Sequence, residues 1–262
     1  MASQIPDEIP SVLVCDVGNY AVHLACVKGQ DVTKPLVLPH GKSAEIQQAI
    51  RSLWSAMPAS GKLVASSVNQ PAFTKFQTLA KQAVNQEALL IGRDIPLPIQ
   101  TDLPDPSAIG TDRLCAALAA YDRLGSACVV ADFGSAITID CVNEEGVFLG
   151  GVILPGLRMS AEALHSRTAQ LPMIEPAKPT WTFGKDTRQA IVSGIVFGAR
   201  GALRCLVESY ADYLKSWPLV IITGGDAELI CPDLQQNDLV QAIVPDLVLQ
   251  GVAAAYYRTL VS

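Results

Sequence analysis

Two carboxylates, each placed two residues ahead of a glycine, are where this chain is equipped for chemistry. Asp16-Val17-Gly18-Asn19 and Asp132-Phe133-Gly134-Ser135 both follow an apolar run and both lead into residues that alternate apolar and polar. A glycine at such a bend lets the main chain approach a ligand and aim N–H groups at it, and the neighbours Asn19 and Ser135 add donors. The ligand that suits the arrangement is an anion, above all a phosphate. A carboxylate beside phosphate is repulsive unless a cation lies between them, so Asp16 and Asp132 are expected to hold a hard cation or its waters. Taken singly, each Asp-x-Gly reads as an ordinary turn. Their repetition favours a site.

A third acid lies in Gly110-Thr111-Asp112-Arg113, ahead of an alanine-rich segment. An aspartate there caps a helix, worth about 1 kcal/mol without any catalytic purpose. Gly110, however, permits close approach, and Arg113 offers a planar fork matched to a carboxylate. A base beside an anion-binding arginine suits phosphoryl transfer to the hydroxyl of an acidic small molecule. Thr223-Gly224-Gly225-Asp226-Ala227 follows another apolar run. It has the form of a loop lying flat against a base or ribose, and equally that of a packing turn between strand and helix. The letters DFG at 132–134 do not make a protein kinase, because neither H-R-D-x-x-x-x-N nor a V-A-I-K strand accompanies them. A P-loop, a G-x-S-x-G elbow and any Cys/His cluster with zinc-ligand spacing are absent as well.

Alternating and apolar runs predict the elements that carry these residues. Residues 12–27 read as two strands around the bend at 16–19, with a third strand at 35–38. A helix follows at 43–57, a buried strand at 63–68 and a helix at 72–84. The proline-rich stretch 94–106 is a loop before the helix that ends near 124. From 129 the pattern starts again: at an offset of 116, Asp132 lies on Asp16, Gly134 on Gly18 and Ser135 on Asn19, and each bend leads into strand, turn and strand. Helices at 157–169 and 189–214, a strand at 219–222 and a helix at 246–260 complete the second half. The chain therefore reads as one α/β design used twice, in lobes joined near residue 125 that bring both hairpins to one cleft.

Half of the 262 residues are hydrophobic, enough for a substantial core, and the net charge of −6 is spread without a basic face. Nucleic acid and an anionic membrane are therefore not expected as partners. Seven scattered cysteines without a C-x-x-C pair fit a reducing cytosol, and the acidic start MASQIPDEIP is unlike a secretory signal. A cytoplasmic protein is expected.

The motifs, taken in order, resemble those of type III pantothenate kinases: DVGN at 16–19, SSV at 66–68, GTDR at 110–113, DFGSAITID at 132–140, LGGVILPG at 149–156, TAQLP at 168–172, the pair Gly184 and Thr187, and TGGDA at 223–227. That family belongs to the acetate kinase, sugar kinase, Hsp70 and actin superfamily. The resemblance implies an α/β fold of two ribonuclease H-like lobes, the duplicated actin-like ATPase fold, divided as 1–124 and 125–262. It implies ATP-dependent phosphorylation of pantothenate, the first step of coenzyme A biosynthesis, with Asp112 as proton acceptor. By matching position, Gly110, Thr111, Asp112, Arg113 and Thr187 contact pantothenate. The hairpin residues Asp16, Val17, Gly18, Asn19, Tyr20, Ala21, Val22 and His23, with Ser135, Gly224 and Gly225, hold ATP. Asp16 takes Mg2+, directly or through water, and Asp132 a monovalent cation, K+ or NH4+. A homodimer is implied too, and the glycines at 194, 198 and 201 are consistent with close helix packing there. Tyr20 and Ala21 stand where the family hairpin has threonine and a polar residue, Leu103 where it commonly has tyrosine, and Ser135 where it has threonine. Two other readings keep the fold: a nucleotide-binding regulatory homologue like the Baf-type accessory factors, and a kinase of another small hydroxy acid.

Overall fold

The apolar run at the start becomes β1 (Val12–Val17), a central strand with both faces covered, in the computed structural model, which describes residues 9–232 and 238–260. β2 (Ala21–Lys28) returns antiparallel to it, in a register running from Val17↔Val22 to Val12↔Val27. The short strands β3 (Asp31–Val32) and β4 (Leu36–Pro39) line the far edge of β2. Parallel pairing needs a crossover. Helix α1 (Ser43–Ser55) supplies it, delivering β5 (Lys62–Ser67) parallel to β1, and α2 (Gln70–Val84) then delivers β6 (Leu89–Leu90) parallel to β5. Ile46 and Ile50 of α1 and Phe73, Phe76 and Leu79 of α2 pack on the sheet face of Leu13, Cys15, Leu24 and Leu63. After β7 (Gln100–Thr101), helix α3 (Thr111–Leu124) packs Cys115 and Leu118 on the other face, against Val12, Val14 and Val64.

A second unit repeats the plan. β8 (Cys128–Phe133), β9 (Ala136–Val142) and β10 (Val147–Pro155) form an antiparallel meander, α4 (Leu157–Ser166) and α5 (Thr187–Leu214) follow, and β11 (Leu219–Thr223) enters parallel to β8. After α6 (Ala227–Ile230), β12 (Ala242–Ile243) adds parallel to β11. The resulting order β12-β11-β8-β9-β10 matches β6-β5-β1-β2 with the third strand on β2. By length and composition α5 is apolar enough to span a bilayer. Its Val196, Leu203 and Val207 instead fill the core over Val129, Ala131, Ile139 and Val220.

The two compact units are Met1–Asp122 with Asp246–Ser262, and Arg123–Pro245. This differs from the expected division 1–124 and 125–262 in the last helix, α7 (Leu247–Arg258), which joins the first unit rather than the second. Its Leu249, Val252, Ala253 and Tyr256 complete the core around Val12, Val14, Ala25 and Val27. Its amphipathic pattern specifies a buried face but not which sheet it covers. The short parallel edge strands β6 and β12 went unread for a related reason, since two residues carry no periodicity.

Candidate active site

In the first unit the candidate residues gather at the carboxyl ends of β1 and β5, where ligands of open α/β sheets bind. Asp16 sits beside Ser66 in the parallel register, and the fully buried Ser66 hydroxyl donates to Asp16 Oδ1 at 2.6 Å. The next residue extends the lattice. Ser67 Oγ donates to Val17 O at 3.1 Å and accepts from Asn69 N, while Asn69 caps α2 through Ala72 N. Thr111 Oγ1 donates to Ser67 O at 3.2 Å and so ties the start of α3 to the same strand end. Asp112 follows, its Oδ1 accepting from Arg113 N at 2.8 Å.

This places two partly buried carboxylates within each other's field. Burial raises Asp16 to about 7, with the Ser66 hydrogen bond opposing the shift and the charge of Asp112 adding to it. Asp112 is also raised by burial, opposed by the Arg113 N–H and guanidinium. Cys115, one turn further along α3, is buried beside both acids and its thiol is pushed well above its usual range. Carboxylates whose charged forms are disfavoured by burial, with the charge of Asp112 adding to the effect at Asp16, are what a bound cation would relieve, and the donors here are all oxygen, as a hard cation requires. Among the described residues no group of three or more His, Cys, Asp or Glu forms a metal cage. A cation here would complete its shell from water and phosphate, as Mg2+ commonly does.

The hairpin above Asp16 closes with Gly18 N donating to Ala21 O at 3.1 Å. Asn19 and Tyr20 are exposed at its tip and Ala21 is partly buried; Val17 and Val22 are core, and His23 lies opposite Asp16 on β2. His40 clasps the turn from outside: its Nε2 donates to Gly18 O at 2.9 Å and its main-chain N to Tyr20 O at 3.2 Å. The hydrophobic residues Val17 and Val22 of the predicted ATP-binding run thus shape the turn, and Asn19 and Tyr20 stand exposed at its tip.

In the second unit Asp132 ends β8 beside Thr223 of β11, a buried hydroxyl at the position of Ser66. Gly134 N donates to Ala136 O at 3.2 Å, and Ser135 is exposed. Glycines from two directions press on this bend. Gly224, at φ +93°, has no room for a Cβ, which would overlap Asp132 Oδ1 and stand 2.5 Å from Phe133 O. Gly156, which caps α4, would drive a Cβ into Ser135 O and to 2.6 Å from Gly134 O. Asp226 N donates to Phe133 O at 3.0 Å, locking the 224–226 loop to the hairpin. Packing alone therefore requires glycine at 224, whatever else the loop meets, while Gly225 is exposed with open space around it. Thr187, the first residue of α5, is exposed one residue after its cap Asp186, whose side chain accepts from Gln189 N at 2.8 Å.

Sequence reasoning missed Ser66, Thr223 and His40 as site-builders. The first two carried a signal: each hydroxyl ends the parallel strand beside a repeated aspartate, at equivalent places in the two halves. His40 carried none, because its contact is with a turn 22 residues away.

Comparison with known proteins bears on this arrangement. The profile of the type III pantothenate kinase family matches residues 12–209. A type III pantothenate kinase of Bacillus cytotoxicus is 34% identical over 199 residues, spanning 76% of this chain and 75% of that protein. Among solved structures, a conserved putative Baf family transcriptional activator from Campylobacter jejuni superposes with TM-score 0.58 at 22% identity, covering 95% of this chain and 98% of that one. The activator of 2-hydroxyisocaproyl-CoA dehydratase from Clostridium difficile, with bound ADPNP, gives 0.52 at 13% identity over 96% and 95%. Those two likenesses establish the fold alone. Family profile and sequence relative agree, and on them the chain belongs to the type III pantothenate kinase family.

Proposed function

We propose that this protein transfers the terminal phosphoryl group of ATP to the primary hydroxyl of pantothenate, opening coenzyme A biosynthesis. One observation supports this above the rest: Asp16 and Asp112, on β1 and α3, are tied to one strand end through Ser66, Ser67 and Thr111 and lie within each other's field. Asp112 accepts the hydroxyl proton as the nucleophile attacks phosphorus. Its raised affinity for protons suits it to that task, because a base works best when its pKa approaches the working pH. Gly110, Thr111, Arg113 and Thr187 hold pantothenate, the arginine serving its carboxylate. Residues 16–23 with Ser135, Gly224 and Gly225 hold ATP through turn N–H groups and small side chains. Mg2+ at Asp16, when bound, neutralises charge that spreads over the phosphoryl oxygens. Asp132 holds the monovalent cation, K+ or NH4+. The enzyme acts as a cytoplasmic homodimer, with no nucleic-acid or membrane partner.

A coupled ADP-release assay tests the reading, using ATP and Mg2+ with K+ or Na+, with and without pantothenate. Turnover that requires pantothenate and rises with K+ over Na+ is the expected result. Nucleotide binding without turnover would replace the reading by a regulatory one, and turnover on a different hydroxy acid would change the acceptor.

A further inference from the structure

Helix α3, which carries Asp112, packs against α7, which lies beyond the residues matched by the family profile. Gly251 sits inside this helix, buried, where a glycine costs about 1 kcal/mol relative to alanine. Its φ is not positive, so the backbone conformation does not demand it. Space does. A Cβ at 251 would overlap the carbonyl group of Cys115 and stand 2.8 Å from its Cα. The obstacle is the main chain of α3, which cannot swing aside as a side chain would. Cys115 lies three residues beyond Asp112, so α7 touches α3 backbone to backbone one turn from the acid.

At its other end α7 grips α3 again. Arg258 pairs with Asp122 and also donates to Pro98 O at 2.9 Å, while Tyr257 OH donates to Val27 O at 3.0 Å and anchors the helix on β2. Helix α3 is thus held by α7 near both ends and pinned by Thr111 to the strand end that carries Ser66 and Ser67. Three fixed points leave it little freedom to slide or tilt.

We propose that Gly251 is a positioning residue for phosphoryl transfer: by letting α7 lie directly on the α3 backbone at Cys115, it fixes where Asp112 stands relative to Asp16. The inference rests on the function proposed above. A displacement of the base by a fraction of an ångström to one ångström costs rate steeply while leaving the ATP-binding hairpin of β1 and β2 in place.

The experiment compares Gly251→Ala, Arg258→Ala and Val252→Ala in the pantothenate-dependent assay, with thermal denaturation beside it. Val252 is fully buried on the same helix and reports what loss of packing alone does. Gly251→Ala is expected to lower kcat by about tenfold to a hundredfold with the KM for ATP within about twofold. Arg258→Ala, which releases the far grip, is expected to lower kcat by about two- to fivefold by the same route, and it decides the matter alone if Gly251→Ala does not fold. Val252→Ala should lower the melting temperature and leave kcat within about twofold. In an Asp112→Asn background Gly251→Ala should cost little further rate, because both changes disable one step. Wild-type kcat in Gly251→Ala or, where that variant is unfolded, in Arg258→Ala overturns the inference and leaves the pantothenate reading intact; so does full additivity with Asp112→Asn. A parent enzyme without turnover on pantothenate overturns both.

Discussion

In the first unit four residues, Gly18 to Ala21, connect the paired Val17 and Val22, whereas in the second three, Gly134 to Ala136, connect Phe133 and Ile137. The offset of 116 therefore holds through aspartate, glycine and the small polar residue, and falls to 115 once the return strand begins. The added residue is Tyr20, 64% exposed at the tip. Supports differ as well. The first hairpin is held by side chains, Ser66 on Asp16 and His40 on the turn, and its acid shares a field with a second acid, Asp112. The second is crowded by main chain, with Gly156 and Gly224 pressed onto it beside the buried Thr223 hydroxyl. A side-chain lattice can tune a proton affinity and respond when a cation or phosphate arrives; a backbone lattice fixes position. On the proposed function, chemistry belongs to the first half and holding to the second.

The sharpest break in that division is Asp112→Asn. The amide keeps the shape and can still accept the Arg113 N–H, so the fold should survive, while the acceptor of the hydroxyl proton is gone. A fall in kcat of about 10²–10⁴ is expected, with a melting temperature at neutral pH no lower than that of the parent because a buried charge is removed. Near-normal turnover would remove Asp112 from the role of base and leave the first unit without its distinguishing chemistry.

Next in size is Gly224→Ala, which attacks the second half where it is most rigid. Alanine at φ +93° is strained, and its Cβ would overlap Asp132 and crowd Phe133. Destabilisation on the order of 3 kcal/mol is expected from denaturant midpoints. Gly225→Ala, in open space, should stay within about 0.5 kcal/mol. Equal effects at the two positions would mean that the packing seen at Gly224 does not hold the hairpin.

Most of this architecture was legible because the physics behind it is local. Apolar runs at 12–17 and 128–133 could only be buried strands, and Asp16 and Asp132 stood out as polar residues ending them. What escaped depends on the chain's return. Nothing within α7 names the sheet that its Leu249 and Val252 will cover, so the final helix was given to the wrong half. Gly224 was legible as a glycine with a purpose, but ligand approach and close packing demand the same residue, and only the position of Asp132 reveals that packing alone demands it. The extra residue in the first turn escaped for a plainer reason: a repeat aligned on Asp-x-Gly conceals a length change that falls just after it.

The smallest effect bears on the acid itself. With a folded-state pKa of about 7 against an ordinary aspartate value in the unfolded chain, Asp16 keeps its proton in the folded protein over a range where the unfolded chain has lost it. Below about pH 4 both states are protonated and the contribution to stability is complete. As pH rises from about 4 to about 7 the unfolded state releases its proton first, so stability falls; above about 7 both are ionised and this group adds no further slope. A loss on the order of 4 kcal/mol is expected across the whole window in metal-free protein, spread so that each step of one pH unit contributes only about 1 kcal/mol. Urea midpoints at pH 4.5, 5.5, 6.5 and 7.5 measure it. Asp16→Asn should flatten the curve, leaving the shallower slope of the other acids raised by burial, Asp112, Asp122, Asp226 and Asp246, whereas Ser66→Ala should steepen it by removing the hydrogen bond that favours the charged form. Asp132→Asn is the matched change in the second half, where the acid is braced by glycine backbone. A slope that survives Asp16→Asn and disappears with Asp132→Asn would reverse the division of labour between the two hairpins.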